Sequence, residues 1–150
     1  METEPSRVFA ASNDAANAAT AQLTVSIVQR MPDAGANGDI QEVMTLTGAS
    51  GVVVEAQVDG VASPATQVQG QTLRALLAIP VEEPQVLVYR VTAETRADGR
   101  GICGAETATH FVVWEPSGPG DPVMKVLAFS GGGPGEAAAR ACQRLEYRRA

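Results

Sequence analysis

Short runs of alternating apolar and polar residues, separated by glycine and proline, recur through most of this 150-residue chain. Leu23, Val25 and Ile27 alternate with Thr24 and Ser26. Val52, Val54, Ala56 and Val58 alternate with Glu55 and Gln57, and Leu87, Tyr89 and Val91 with Val88, Arg90 and Thr92. Successive side chains of an extended strand point to opposite faces, so each run predicts a strand with one face buried. Met44 and Leu46 continue the pattern, as do Thr109 to Glu115 and Val123 to Ser130. The stretches Pro32 to Asp39 and Pro116 to Pro122 hold the residues that reverse a chain. Asp59-Gly60 predicts a two-residue hairpin turn, because a type I′ turn needs positive φ at both central positions. Such spacing predicts a mainly β chain, an antiparallel sandwich or barrel of about seven to nine short strands.

Two segments break the alternation. Leu73 to Ile79 has leucines at helical spacing, but it is short for an independent helix and reads as a strand. After Gly131-Gly-Gly-Pro-Gly135, the run Glu136 to Cys142 has high helix propensity, with an acid first and arginines later, which predicts one short C-terminal helix. If that helix runs on to Arg149, then Arg140, Arg144 and Arg148 form a solvated stripe. If it stops near Cys142, Leu145 and Tyr147 become the inward face of a last strand, and Cys142 stands out of phase with them.

Upstream of Leu23 no strand pattern is present. Residues 1–21 are rich in alanine and small polar residues and read as a flexible Ala-rich tether, leaving 22–150 as a single β-rich domain. Met1 to Ser12 has neither the basic start nor the apolar block of a signal peptide. The segment resembles the small-residue tether found after a removed secretion or lipoprotein signal, with the signal or lipid anchor outside this sequence.

The net charge of −6 argues against a nucleic-acid binder, and no apolar run reaches the ~20 residues of a membrane-spanning helix. The charge is uneven. Residues 1–99 carry 12 acids against 5 bases, and residues 100–150 carry 5 against 6. Of the six aromatics, only Phe9 precedes Tyr89.

Cys103 and Cys142 form no C-x-x-C pair, which excludes a thioredoxin-type motif and a cysteine-rich zinc site. They are either two free thiols in a reducing compartment or one disulfide in an exported protein, and the disulfide is the reading adopted. A bridge closing a loop of about 40 residues stabilises by about 4 kcal/mol in the chain-entropy model.

The remaining motifs carry little chemistry. Gly99-Arg-Gly-Ile-Cys-Gly104 spells G-x-G-x-x-G but lacks the following helix and acid of a dinucleotide site. Ser130 to Gly135 lacks the P-loop lysine. His110 is the one histidine; a hydrolase would have to combine it with Ser130 and an acid such as Asp121, without a nucleophile-elbow motif. On alternation His110 shares a face with Val112 and Trp114. The adjacent carboxylates Glu82 and Glu83 read as solvated charge. Trp114 and Tyr147 are candidate ligand-surface aromatics, and Arg140, Arg144 and Arg148 a candidate anion-facing patch.

Together these features lead to the expectation of a non-enzymatic exported domain, periplasmic, secreted or lipoprotein-like. It would bind an unknown envelope protein as an inhibitor or accessory, as a monomer or weak oligomer, with no cofactor, metal or nucleic acid. The alternatives are a small hydrolase using His110 with Ser130 or a carboxylate, and a structural accessory domain docking through loops 32–39 and 116–122.

Overall fold

The computed structural model describes residues 2–3, 6–30, 41–80, 85–116 and 123–149. Asp121, Glu82, Glu83, the 32–39 loop and most of the 116–122 loop lie outside these residues.

The six alternating runs, joined by the segments 7–11 and 140–149, become eight antiparallel strands in a closed barrel. In chain order they are β2 (Arg7–Ala11), β3 (Leu23–Arg30), β4 (Gln41–Gly48), β5 (Val53–Ala62), β8 (Val86–Thr95), β9 (His110–Trp114), β10 (Val123–Ser130) and β11 (Arg140–Arg149). Each pairs with the next, and β11 closes the ring on β2 through Tyr147↔Ala11, Arg148↔Ala10 and Arg149↔Phe9. A short β1 (Glu2–Thr3) pairs farther along β3, at Gln29 and Val28.

Alternation decides which side chains fill the barrel. Leu23 and Val25 from β3, Met44 and Leu46 from β4, Val54 and Ala56 from β5, Phe111 and Val113 from β9 and Leu145 and Tyr147 from β11 form one buried cluster. The rings of Tyr89 and Phe111 stack across β8 and β9 at 5.2 Å. Fully burying a large apolar side chain contributes about 1.5–3 kcal/mol, so this interior is the main stabilising element.

The N-terminal segment belongs to the barrel. The tether expected over 1–21 is corrected here: Arg7–Ala11 is a barrel strand, Phe9 is buried in the interior, and α1 (Asp14–Ala19) covers one end. Asn13 caps α1 by accepting from the Ala16 N–H. Its side chain also donates to the Arg144 carbonyl and accepts from the Glu146 N–H, fixing the helix to β11. Alanine offers α1 a surface small enough for Ala16 and Ala19 to sink into the barrel end. The composition that suggests a tether therefore serves close packing.

A second apolar cluster lies outside the barrel. Between β5 and β8 the chain forms a two-strand ribbon, β6 (Gln67–Val68) with β7 (Gln71–Thr72), and then α2 (Leu73–Leu77). The strand expected over Leu73 to Ile79 is thus a helix, capped by the Thr72 hydroxyl, which accepts from the Ala75 N–H. Leu73, Leu77 and Ile79 pack against Val88, Val112, Trp114, Leu127 and Phe129 on the outer face of β8, β9 and β10. Tertiary burial of two leucines one turn apart stabilises a helix too short to stand alone.

Two further expectations are corrected. Asp59-Gly60 makes no hairpin: β5 runs through it with a bulge between Val58 and Gly60, and Gly60 takes φ +113°. The preference for positive φ holds, but a bulge uses it as readily as a turn. No helix forms over 136–142 either. Two tight turns lead into β11 at Arg140, because pairing with β10 gains more than the intrinsic propensity of a few alanines. A bulge opposite Ala128 and Phe129 shifts the phase of β11, so Cys142 and Leu145 both face the interior cluster.

Candidate functional site

The barrel has two different ends. One is covered by α1 and by the loop after β8, where two tight turns, Ala97↔Arg100 and Gly101↔Gly104, dip Ile102 and Cys103 into the interior. Cys103 and Cys142 are joined as a disulfide with Cα atoms 5.3 Å apart. The buried Glu94 carboxylate accepts from the Ile102 N–H at 3.0 Å, and a Cβ at Gly101 would fall 2.5 Å from that carboxylate. The G-x-G-x-x-G spelling thus builds a plug, with glycine required where the carboxylate passes the backbone. A recess of about 210 Å³ lies beside it, lined by Ala19, Ser50, Val52, Ala97, Asp98 and Arg100 among others.

The opposite end, where β3 leads to β4 and β9 to β10, is the mouth. Along β2, β4 and β9 the inward-facing positions there turn from apolar to charged. Arg7 reaches Glu115 at 2.8 Å, linking the first barrel strand to the end of β9, and its guanidinium lies 5.4 Å from the Phe9 ring centre. The Tyr89 hydroxyl donates to the Glu42 carboxylate at 2.5 Å. Burial first, then that hydrogen bond and the charge of Glu42, push the Tyr89 phenol far above its usual value.

Beside this polar set lie exposed apolar side chains. The large ones exposed among the described residues are Val8, Val58, Val61 and Leu87, and the last three lie together on β5 and β8. Val61 is directly opposite Leu87, and Val58 is opposite Tyr89. Next to them is an open recess of about 200 Å³ lined by Gln85, Leu87, Val113, Trp114 and Glu115.

The expected site residues disperse. Tyr147 is wholly inside the barrel, its hydroxyl 2.8 Å from the Thr20 hydroxyl. Trp114 belongs to the outer cluster, buried, with Lys125 Nζ 5.7 Å from its ring centre. The two aromatics therefore form no common ligand surface. Arg140 pairs with Glu106 at the covered end. Arg144 pairs with Glu146 at 3.2 Å and reaches the Leu76 carbonyl at 3.5 Å, and Arg148 is exposed farther along the same strand. The arginine patch is accordingly divided by its own carboxylates.

His110 does share the outer side of β9 with Val112 and Trp114. Its ring lies against Gly133, Nδ1 is buried without a hydrogen-bond partner among the described residues, and Nε2 is 3.9 Å from Asp59. Ser130 follows Phe129, which is paired with His110, and so faces the other way, 3.2 Å from Glu106. No nucleophile–base pair arises from His110 and Ser130. Among the described residues no group of three or more metal-ligating side chains converges, and no helix is long and apolar enough to cross a membrane.

Burial also governs Tyr147, whose phenol is pushed up to about 12, with the Thr20 hydrogen bond opposing the shift. The neutral phenol is the form the fold accommodates. Its contribution to stability is full below pH 10, the pKa of an exposed tyrosine, and is lost as pH rises through about 12. Alkaline titration should show the Tyr147 share of the unfolding free energy falling by about 2–3 kcal/mol over that interval, on top of a loss from Tyr89, whose phenol is raised as well. Tyr147→Phe should lose less, with both followed by urea denaturation at each pH.

The class defined by these observations is an up-and-down, antiparallel, eight-stranded closed barrel, covered at one end and, among the described residues, carrying charged and exposed apolar side chains together at the other. No protein-family model matches the chain, and the searches of curated proteins and of solved structures found no match either.

Proposed function

We propose that this chain is a non-enzymatic, exported barrel, periplasmic or lipoprotein-like, that binds a protein of the cell envelope through its mouth. One observation carries the reading: the barrel interior is filled by its own side chains, while Val58, Val61 and Leu87 stay exposed together at the rim. A packed barrel offers recognition only on its surface, and clustered apolar exposure is the usual mark of a protein contact. The Cys103–Cys142 bridge supports the exported part of the reading, since structural disulfides persist in oxidising compartments.

The test is affinity capture from a native envelope extract, using the parent and a V61S/L87S double variant. A protein retained by the parent and lost by the variant, at unchanged melting temperature, supports the proposal. Equal recovery by both, or nothing above background, overturns it. A role as inhibitor or accessory then follows from the identity of the captured protein.

A further inference from the structure

At the mouth, two neighbouring strands of the barrel part company. The β4–β5 ladder ends at Val43↔Gln57, whereas β5 stays paired with β8 as far as Ala62↔Val86. On its other side β4 continues along β3 to Gln41↔Arg30. Val58 to Ala62 therefore have a strand on one side only, among the described residues. Each antiparallel strand directs alternate backbone N–H and C=O groups to its two sides, so one row of donors and acceptors on this stretch has no ladder partner among the described residues. Closure of a barrel normally removes every such edge.

The side chains beside this edge agree with an extended occupant. Val61 is 54% and Leu87 41% exposed, and they form a cross-strand pair on the inward-facing side, with Val58 nearer the interior. By register Glu42 stands next to Val58, where the ladder stops, and Asp59 sits half-exposed at the bulge. Both strands of the seam belong to residues 1–99, where acids outnumber bases 12 to 5. A second copy of this chain would bring its own Glu42 and Asp59 against these, and like charges facing each other across strands destabilise the pairing. A basic strand meets no such repulsion.

We infer that the free edge of β5 from Val58 to Ala62 takes up an extended segment of a partner protein by strand addition, with apolar and basic residues alternating along it. The inference rests on the partner-binding reading above and names how that surface would be used. Backbone hydrogen bonds supply affinity in this mode and alternate side chains supply specificity.

The experiment uses the intact protein and three fluorescent peptides: an alternating lysine–valine heptapeptide, its glutamate–valine counterpart, and the lysine–valine sequence with alternate backbone nitrogens methylated. The first should bind, with hydrogen-exchange protection appearing at Val58 to Ala62. The other two should bind about tenfold or more weakly, a loss of about 1.4 kcal/mol. Val61→Lys should weaken the lysine–valine peptide by a similar factor, with melting temperature as the folding control.

Equal binding of the methylated peptide would overturn strand addition, and equal binding of the glutamate peptide would overturn the charge preference. Protection of Val58 to Ala62 that grows with protein concentration, without peptide, would assign the edge to a second copy and overturn the proposal. If the lysine–valine peptide fails to bind while V61S/L87S still loses its captured protein, strand addition falls and the partner reading stands.

Discussion

Phe9→Ala is expected to lower the unfolding free energy by about 3–5 kcal/mol, the range for truncating a fully buried aromatic ring. Phe9 is 2% exposed, and its strand closes the barrel between β3 and β11. The loss has two parts: the transfer of the ring from water, and the cavity left among neighbours that alternation holds in place. Val8→Ser, one residue earlier on the outer face, should stay within about 0.5 kcal/mol. Urea denaturation of the two variants beside the parent decides the matter. A Phe9→Ala protein with the parent's midpoint would mean that residues 7–11 are a tether after all, since a tether transmits nothing to the core.

The second large effect concerns the disulfide. Removing it by Cys103→Ser with Cys142→Ser should cost about 4 kcal/mol by releasing unfolded-chain entropy. The bridge spans 39 residues of sequence, from the plug loop to the bulge of β11. Against a typical total of about 5–15 kcal/mol, a loss of that size leaves a marginal fold. Reductant should lower the denaturation midpoint of the parent and leave the double-serine variant unmoved. A parent insensitive to reductant, with both thiols open to alkylation in the unreduced unfolded state, would show that the two cysteines are not joined.

Much of the barrel is written locally. Leu23 and Val25, Val54 and Ala56, and Phe111 and Val113 face the interior as their alternation requires, because strand geometry ties residue parity to sheet face. Sequence and structure diverge where a local preference admits two outcomes. Asp59-Gly60 needs positive φ, which a hairpin turn and a bulge both satisfy. Glu136 to Cys142 favours a helix in isolation, yet β10 presents an edge that only a strand can pair. Leu73 to Ile79 goes the other way, since a hydrophobic outer sheet face is available for one helical turn.

The candidate site is almost invisible in the sequence for a related reason. Val58 and Leu87 carry the inward parity of core residues, and nothing local marks them as exposed. They are exposed because β5 and β8 extend past the point where β4 leaves them, which depends on the lengths of three strands together. Trp114 and Tyr147, conspicuous as aromatics, lie in separate cores on the two sides of the sheet for the same kind of reason.

By itself, then, the sequence determined the mainly antiparallel β character, the parity of most strands, and a pair of cysteines suited to a bridge. Those properties depend on spacings of a few residues. Closure of the ring by the N-terminal strand, the helix over one end, the outer cluster beneath α2 and the split between β4 and β5 were decided only in the tertiary structure. Each depends on which distant surface is left uncovered, and burial of apolar area, which has no direction along the chain, settles that only when all the strands are in place.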